Sequence, residues 1–180
     1  VYTNINGQHA DSFADGISMI MAVTKKAGHQ IKQAQIFEMS EYSTFKDELK
    51  SYKPDVIGFT AVSSQFSFVA DLCVIAKEIF PKVVTVCGGI HPTLYPECIK
   101  EAPSLDVIFR GDSEVPFLNF LKSLDNNQSW KENESIAFLR EDGTVKKNKL
   151  AALPTPEELD KMPFPDRETF SYSKTLEKVG

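Results

Sequence analysis

Cysteine is scarce. Among 180 residues only Cys73, Cys87 and Cys98 occur, an odd number at long spacing with no C-x-x-C pair. That excludes a disulfide framework and leaves a zinc knuckle or a cysteine-held iron–sulfur cluster unsupported. The three read instead as small hydrophobes in a reducing compartment, the cytoplasm. No apolar run nears the ~18 residues that span a bilayer. No basic segment followed by an apolar stretch opens the chain, so no signal peptide is visible. Positive charge is also lacking: 20 Lys and Arg stand against 25 Asp and Glu, a net charge of −5. A face that neutralises many phosphates is not expected, and nucleic acid is not an expected partner. There is no Walker loop, no G-x-G-x-x-G, no H-E-x-x-H and no Ser/His/Asp order, so a self-sufficient kinase or hydrolase is unsupported. There are no internal repeats and no low-complexity tracts.

What remains is an ordinary globular composition, 42% hydrophobic and 25% charged, in a chain long enough to bury a core. Three short apolar runs rich in β-branched residues stand out: Val56 to Thr60, Val83 to Cys87 and Val107 to Phe109. Continuous apolar runs suit strands covered on both faces, as in a parallel sheet. Between them lie helical patterns. Phe66 to Phe80 carries Val69, Leu72, Cys73, Ala76 and Phe80 at helix spacing and stops at Pro81. Tyr95 to Ala102 and Ser113 to Leu124 read as two further helices, entered through Pro96 and Glu114. Upstream, Val1 to Thr3 reads as the end of a first strand. Asp15 to Ala27 follows as a helix ended by Gly28, then Ile31 to Phe37 as a strand and Thr44 to Tyr52 as a helix.

This alternation predicts an α/β fold with a doubly wound, parallel, five-stranded sheet of flavodoxin-like (Rossmann-like) order 2-1-3-4-5 over residues 1–125. Residues 126–150 read as an added β-hairpin turning at Asp142-Gly143. Residues 151–180 hold Pro154, Pro156, Pro163 and Pro165, four of the ten prolines, and predict an extended connector.

In an open parallel sheet, ligands bind beyond the carboxyl ends of the strands. That rule selects Ser63, Ser64 and Gln65 after the third strand and Gly88, Gly89, Ile90, His91, Pro92 and Thr93 after the fourth. After the fifth it selects Gly111, Asp112 and Glu114. Gly88-Gly89 offers backbone without Cβ to a flat ligand, and equally suits a tight turn. Ser63, Ser64 and Thr93 supply hydroxyls. His91 is a hydrogen-bonding or space-filling residue, or a cofactor contact. Asp112 and Glu114 could form a catalytic carboxylate pair, but capping of the next helix by Asp112 or Ser113, with Glu114 on the dipole, is the better reading. Trp130, in a polar loop, reads as a solvent-shielding contact.

Taken together, Asp55 to Thr60, the run Gly88-Gly89-Ile90-His91-Pro92-Thr93, and Asp106 to Glu114 resemble the N-terminal cobalamin-binding domain of cobalamin-dependent radical S-adenosylmethionine enzymes. The family pattern is G-G-x-H-P-T followed by D-x-V-x-x-G-E-G-E, and Asp112 and Ser113 here replace its first Glu and Gly. Leu153-Pro154 and Pro163-Phe164-Pro165-Asp166 resemble the family's proline-rich link to its radical domain. The resemblance implies cobalamin as cofactor, with its nucleotide tail passing Gly88-Gly89 and its corrin across the strand-end loops. The C-x3-C-x2-C motif of the family's barrel is absent, so the chain is expected to be an excised domain and not catalytic alone. A 4Fe-4S cluster and S-adenosylmethionine are expected only in the rest of a parent enzyme, methyltransferase-like in its chemistry.

The D-x-H-x-x-G signature of other cobalamin proteins is absent too. His9 lies in the first loop with Gly7 where that Asp would stand. Neither His9, nor His29, nor His91, held extended before Pro92, is expected to ligate cobalt. A flavodoxin-like module for a flavin or nucleotide remains an alternative. A receiver-like interaction domain fits less well, because Thr3-Asn4 supplies no acidic residue at the first strand end.

Overall fold

The structure is a computed structural model and describes residues 1–5 and 15–168. His9 therefore lies outside the described residues. The elements run β1 (Tyr2–Thr3), α1 (Asp15–Lys26), β2 (Gln35–Ile36), α2 (Tyr42–Tyr52), β3 (Val56–Thr60), α3 (Phe66–Ile79) and β4 (Val84–Gly88). Then come α4 (Ile90–Leu94), β5 (Val107–Phe109), α5 (Glu114–Asp125), β6 (Ile136–Leu139), β7 (Val145–Lys147) and α6 (Pro156–Leu159).

Five strands are parallel in the order β2-β1-β3-β4-β5, as the alternation of strand and helix implies. The sheet is nevertheless mixed and has seven strands, not five. β6 pairs antiparallel with β5, and β7 antiparallel with β6. The physical reason is burial. Ile136, Ala137 and Phe138 are all buried, so β6 belongs to the core of the sheet and covers the edge that β5 would otherwise expose.

Several boundaries also differ from the sequence reading. The second strand is only two residues long, joined to β1 by Tyr2 N–H to Ala34 O and Asn4 N–H to Ile36 O. The stretch after Tyr95 is a 3-10 helix, Pro96–Glu101, and the short helix α4 precedes it. The proline-rich segment is in part folded. Thr155 and Glu158 form a capping box at the start of α6, and Asp166 N–H donates to Ser18 O on α1.

Side-chain alternation splits the core between the two sheet faces. Ile57, Phe59, Cys87 and Ile108 pack with α2 and α3. Val86, Val107 and Phe109 pack with Phe117, Phe120 and Leu121 of α5 and with Ile136 and Phe138. Trp130 closes this second core, its ring 5.7 Å from Phe120 and 5.4 Å from Phe138.

The amino ends of β4 and β5 are pinned by one carboxylate. Asp106 Oδ2 accepts from Thr85 N–H at 2.8 Å and from Lys77 Nζ at 2.6 Å. Lys77 Nζ also donates to Val83 O at 2.6 Å. Asp106→Ala leaves the buried Thr85 amide and a half-buried ammonium without this acceptor. The expected cost is about 2–3 kcal/mol, read as a fall of roughly 5–10 °C in thermal midpoint. A midpoint unchanged within error would show the cluster to be ornamental.

Candidate functional site

The carboxyl ends of β3, β4 and β5 meet in one stitched set of loops. Ala61, just past β3, donates its N–H to Gly88 O at 3.0 Å and accepts from His91 N–H at 3.1 Å. For the chain to turn this sharply from β4 into α4, Gly89 adopts φ 99° and ψ −177°, a conformation that L side chains rarely enter. Thr93 Oγ1 then accepts from Gly111 N–H at 3.1 Å, which ties α4 to the loop after β5.

His91 sits in the first turn of α4, not in the extended conformation expected before proline. Pro92 is tolerated there because first-turn positions need no intrahelical N–H bond. The turn is held by Thr93 N–H to Gly89 O and Tyr95 N–H to His91 O. The imidazole lies beside Phe66, centroids 4.7 Å apart, with Nδ1 3.0 Å from Ser63 Oγ. Burial pushes its pKa below the ordinary value, against the opposing charge of Glu101. Its Nε2 is buried with no partner among the described residues.

Gln65 is spent on architecture. It is 1% exposed. Its Oε1 accepts from Ile5 N–H at 2.9 Å and its Nε2 donates to Ile5 O at 3.1 Å, so both ends of the amide hold the segment after β1. Ser113 occupies the N-cap of α5 but makes no side-chain cap; its hydroxyl donates to Gly111 O at 2.8 Å. The capping expected of it is absent because the Gly111 turn, φ 71°, brings that carbonyl within its reach.

Gly88, Gly89, Gly111, Asp112, Ser113 and Glu114 form the mouth of a cavity of about 680 Å³. The cavity runs from these loops along the sheet face that α1 and α5 cover and reaches, at its other end, residues 28–34, Lys53 to Asp55, and Phe45, Leu49 and Tyr52 of α2. Its walls include Ile17, Ile20 and Met21 of α1, Phe117 and Leu121 of α5, and Val86 and Phe109 of the sheet. Ser63, Ser64, Gln65, Ile90, His91, Pro92 and Thr93 do not line it. They form the neighbouring loop cluster, where Ile90 is 66% and Leu94 is 80% exposed. The sequence reading overlooked Gly58 and the inner side of α1. A glycine in mid-strand, alternating with Ile57 and Phe59, was the available signal.

A second distinction separates the two glycines of the pair. A Cβ on Gly88 would meet nothing nearer than Phe109 Cβ at 3.9 Å, whereas one on Gly89 would meet Ala61 O at 2.7 Å and Thr60 Oγ1 at 2.8 Å. Gly89 is thus required by the turn. Gly88 is bare backbone on the cavity side of β4, in register with Thr60 of β3.

Among the described residues no group of three or more His, Cys, Asp or Glu side chains could hold a metal ion. His29 lies at the far end of α1, 3.8 Å from Asp125. The thiols are buried, and burial pushes Cys73 up to about 12, as expected of packing groups rather than nucleophiles. No described helix is long and apolar enough to cross a membrane.

This is the architecture of an open α/β ligand-binding domain, with a cavity entered at the strand ends. The family described as B12 binding domain matches residues 10–121, and the chain belongs to that family. It is 35% identical over 135 residues to the anaerobic magnesium-protoporphyrin IX monomethyl ester cyclase of Rubrivivax gelatinosus, covering 73% of this chain and 24% of that protein. It is 28% identical over 199 residues to the cytidylyl-2-hydroxyethylphosphonate methyltransferase of Streptomyces wedmorensis, covering 90% of this chain and 37% of that protein. The chain thus spans well under half the length of these curated relatives.

Its fold is that found in the cobalamin-dependent S-adenosylmethionine radical enzyme OxsB with aqua-cobalamin and S-adenosylmethionine bound. There the TM-score is 0.72 at 19% identity, over 99% of this chain and 25% of that one. The radical S-adenosylmethionine methyltransferase TsrM from Kitasatospora setae gives 0.66 at 12% identity, over 82% and 29%.

Proposed function

We propose that this domain holds cobalamin with its nucleotide tail in the cavity between α1, α5 and the sheet, and with its corrin over the strand-end loops. In this reading it presents the corrin to a radical S-adenosylmethionine domain of a longer parent enzyme in the cytoplasm. That domain would carry the 4Fe-4S cluster and S-adenosylmethionine. Cobalamin, when bound, supplies a cobalt centre able to carry a methyl group or join a related radical reaction.

The observation that carries the reading is the cavity itself. A long, mostly apolar slot opens at the strand ends, and the sheet beneath it is bare at Gly58 and Gly88. A flat or extended ligand can lie against backbone there, and among the described residues no side chain fills the space over Gly88. The protein's own part is to bind, orient and exclude water. Ile17, Ile20 and Phe117 shield the tail. Gly111, Asp112 and Glu114 border its entrance. Ser63, His91 and Thr93 shape the loops under the corrin, with Ser63 and His91 holding each other. No described histidine is assigned to cobalt: His29 lies beyond the far end of α1 from the strand-end loops, and His91 Nε2 is buried with its ring packed beside Phe66.

Titration of hydroxocobalamin into the chain, followed by its visible spectrum, is expected to give saturable binding at roughly micromolar or weaker Kd, because a lone domain encloses only one side of the corrin. Nanomolar binding would contradict the one-sided enclosure. Uptake of flavin mononucleotide in place of the corrinoid would overturn the assignment.

A further inference from the structure

α1 has two working sides. Ile17, Ile20, Met21 and Thr24 look into the cavity. Ala22, Lys25 and Lys26 meet Pro163 to Arg167 across a shallow cleft. Ser18 and Ala22, one helical turn apart, are 1% and 7% exposed. Both are small, which lets the strap's backbone approach closely enough for Asp166 N–H to reach Ser18 O at 3.1 Å. The Asp166 carboxylate is 7% exposed and lies 3.6 Å from Lys25 Nζ. Lys26 Nζ donates to Lys161 O at 2.8 Å.

We propose that residues 161–167 are a latch that holds α1 over the cavity, so that the conformation of the proline-rich connector controls how readily the cofactor enters and leaves. The proposal rests on the cobalamin reading above. Three features make the hold reversible rather than structural glue. Its bonds to α1 among the described residues are polar, and the Asp166 carboxylate, 7% exposed beside a Lys25 side chain already 59% exposed, regains hydration on release, which offsets the lost pairing. Phe164 is 93% exposed and contributes no burial, and Met162, Pro163 and Pro165 are only partly buried. Pro163 and Pro165 stiffen the segment, so movement at either end is transmitted to Asp166 instead of being absorbed between them. Because α1 forms one wall of the slot, a small displacement of the helix widens it along its length. Asp166 is a positioning residue in this scheme, acting through α1.

The test uses the 180-residue chain and the variants Ala22→Leu, which fills the strap's seat with a good helix former, and Phe164→Ala as control. Hydrogen exchange is followed in residues 161–168, in α1 and in β3 and β4, alongside stopped-flow hydroxocobalamin binding. In Ala22→Leu the strap is expected to lose protection, with α1 exchanging about tenfold faster and the sheet unchanged. Hydroxocobalamin association and dissociation should both quicken at least about fivefold, as gating requires. Phe164→Ala should match the parent chain. If Ala22→Leu loosens the sheet as well, the same readouts are taken on Asp166→Asn, which keeps the shape and the backbone donor and removes the charge.

An α1 whose exchange is unchanged once the strap has come free overturns the latch. So does a strap that keeps its protection in both variants. Failure of the parent chain to take up hydroxocobalamin would refute the cofactor reading alone, since the exchange measurements test the latch without ligand.

Discussion

Gly89→Ala is expected to destabilise the domain by about 3–4 kcal/mol, enough to leave much of it unfolded at 37 °C. Two independent costs add. The backbone at φ 99° and ψ −177° is one that alanine enters only under strain. The new methyl also has nowhere to go: Ala61 O at 2.7 Å and Ala61 N at 2.9 Å are backbone atoms of the β3 loop, fixed by their bonds to Gly88 and His91. Relief would require breaking the stitch that joins the β3 and β4 loops, and the Ser63–His91 pair with it. Thermal unfolding followed by circular dichroism is the measurement. A midpoint within about 2 °C of the parent, equivalent to under 1 kcal/mol for a chain of this size, would mean that the turn relaxes freely.

That result separates two residues that the sequence presents as a pair. Seen as letters, Gly88-Gly89 is a turn or a ligand approach; in the fold the turn requires Gly89, and Gly88 is left as bare backbone on the cavity side. The division was not legible because it depends on which loop lies opposite, and Ala61 is remote in sequence from Gly89.

The five parallel strands and their order were legible, because each buried run is flanked by a helix pattern and right-handed crossovers leave few topologies. β6 was not, because nothing local says whether Ile136 to Leu139 pairs only with β7 or also with β5. Its fully buried Ile136 and Ala137 answer that question only in three dimensions. α4 was hidden by Pro92, whose usual effect on the preceding residue is overridden by the loop bonds of His91. Gln65 was selected as a candidate cofactor contact at a strand end; it lies there but is bonded at both ends of its amide to Ile5, 60 residues away and beyond any local pattern. The strap escaped notice for the same reason. Proline density gave no sign of the short helix α6, which starts at Pro156, and it is silent on whether an extended segment lies free or against a helix.

Gly88→Val should do the opposite of Gly89→Ala, preserving the fold and losing the cofactor. Gly88 lies in β4 with ordinary strand geometry, and β-branched residues suit that backbone. Its Cβ position is clear of protein atoms to 3.9 Å, so the first carbon fits without displacing anything. The two further methyls have only the cavity to enter, at its mouth, between Gly111 and the inner side of α1. In the cofactor reading, a ligand passing from the loops into the slot is expected to cross this point.

The expected result is a thermal midpoint equal to or slightly above that of the parent chain, together with at least a hundredfold weaker hydroxocobalamin binding, about 2.7 kcal/mol. Gly58→Ala, deeper on the same floor and 3.7 Å from Val86 Cγ2, should weaken binding less, because a single methyl narrows the slot without closing it. If Gly88→Val binds hydroxocobalamin as tightly as the parent while remaining folded, the tail does not enter here, and the assignment of this cavity to the cofactor falls even if the domain binds cobalamin elsewhere.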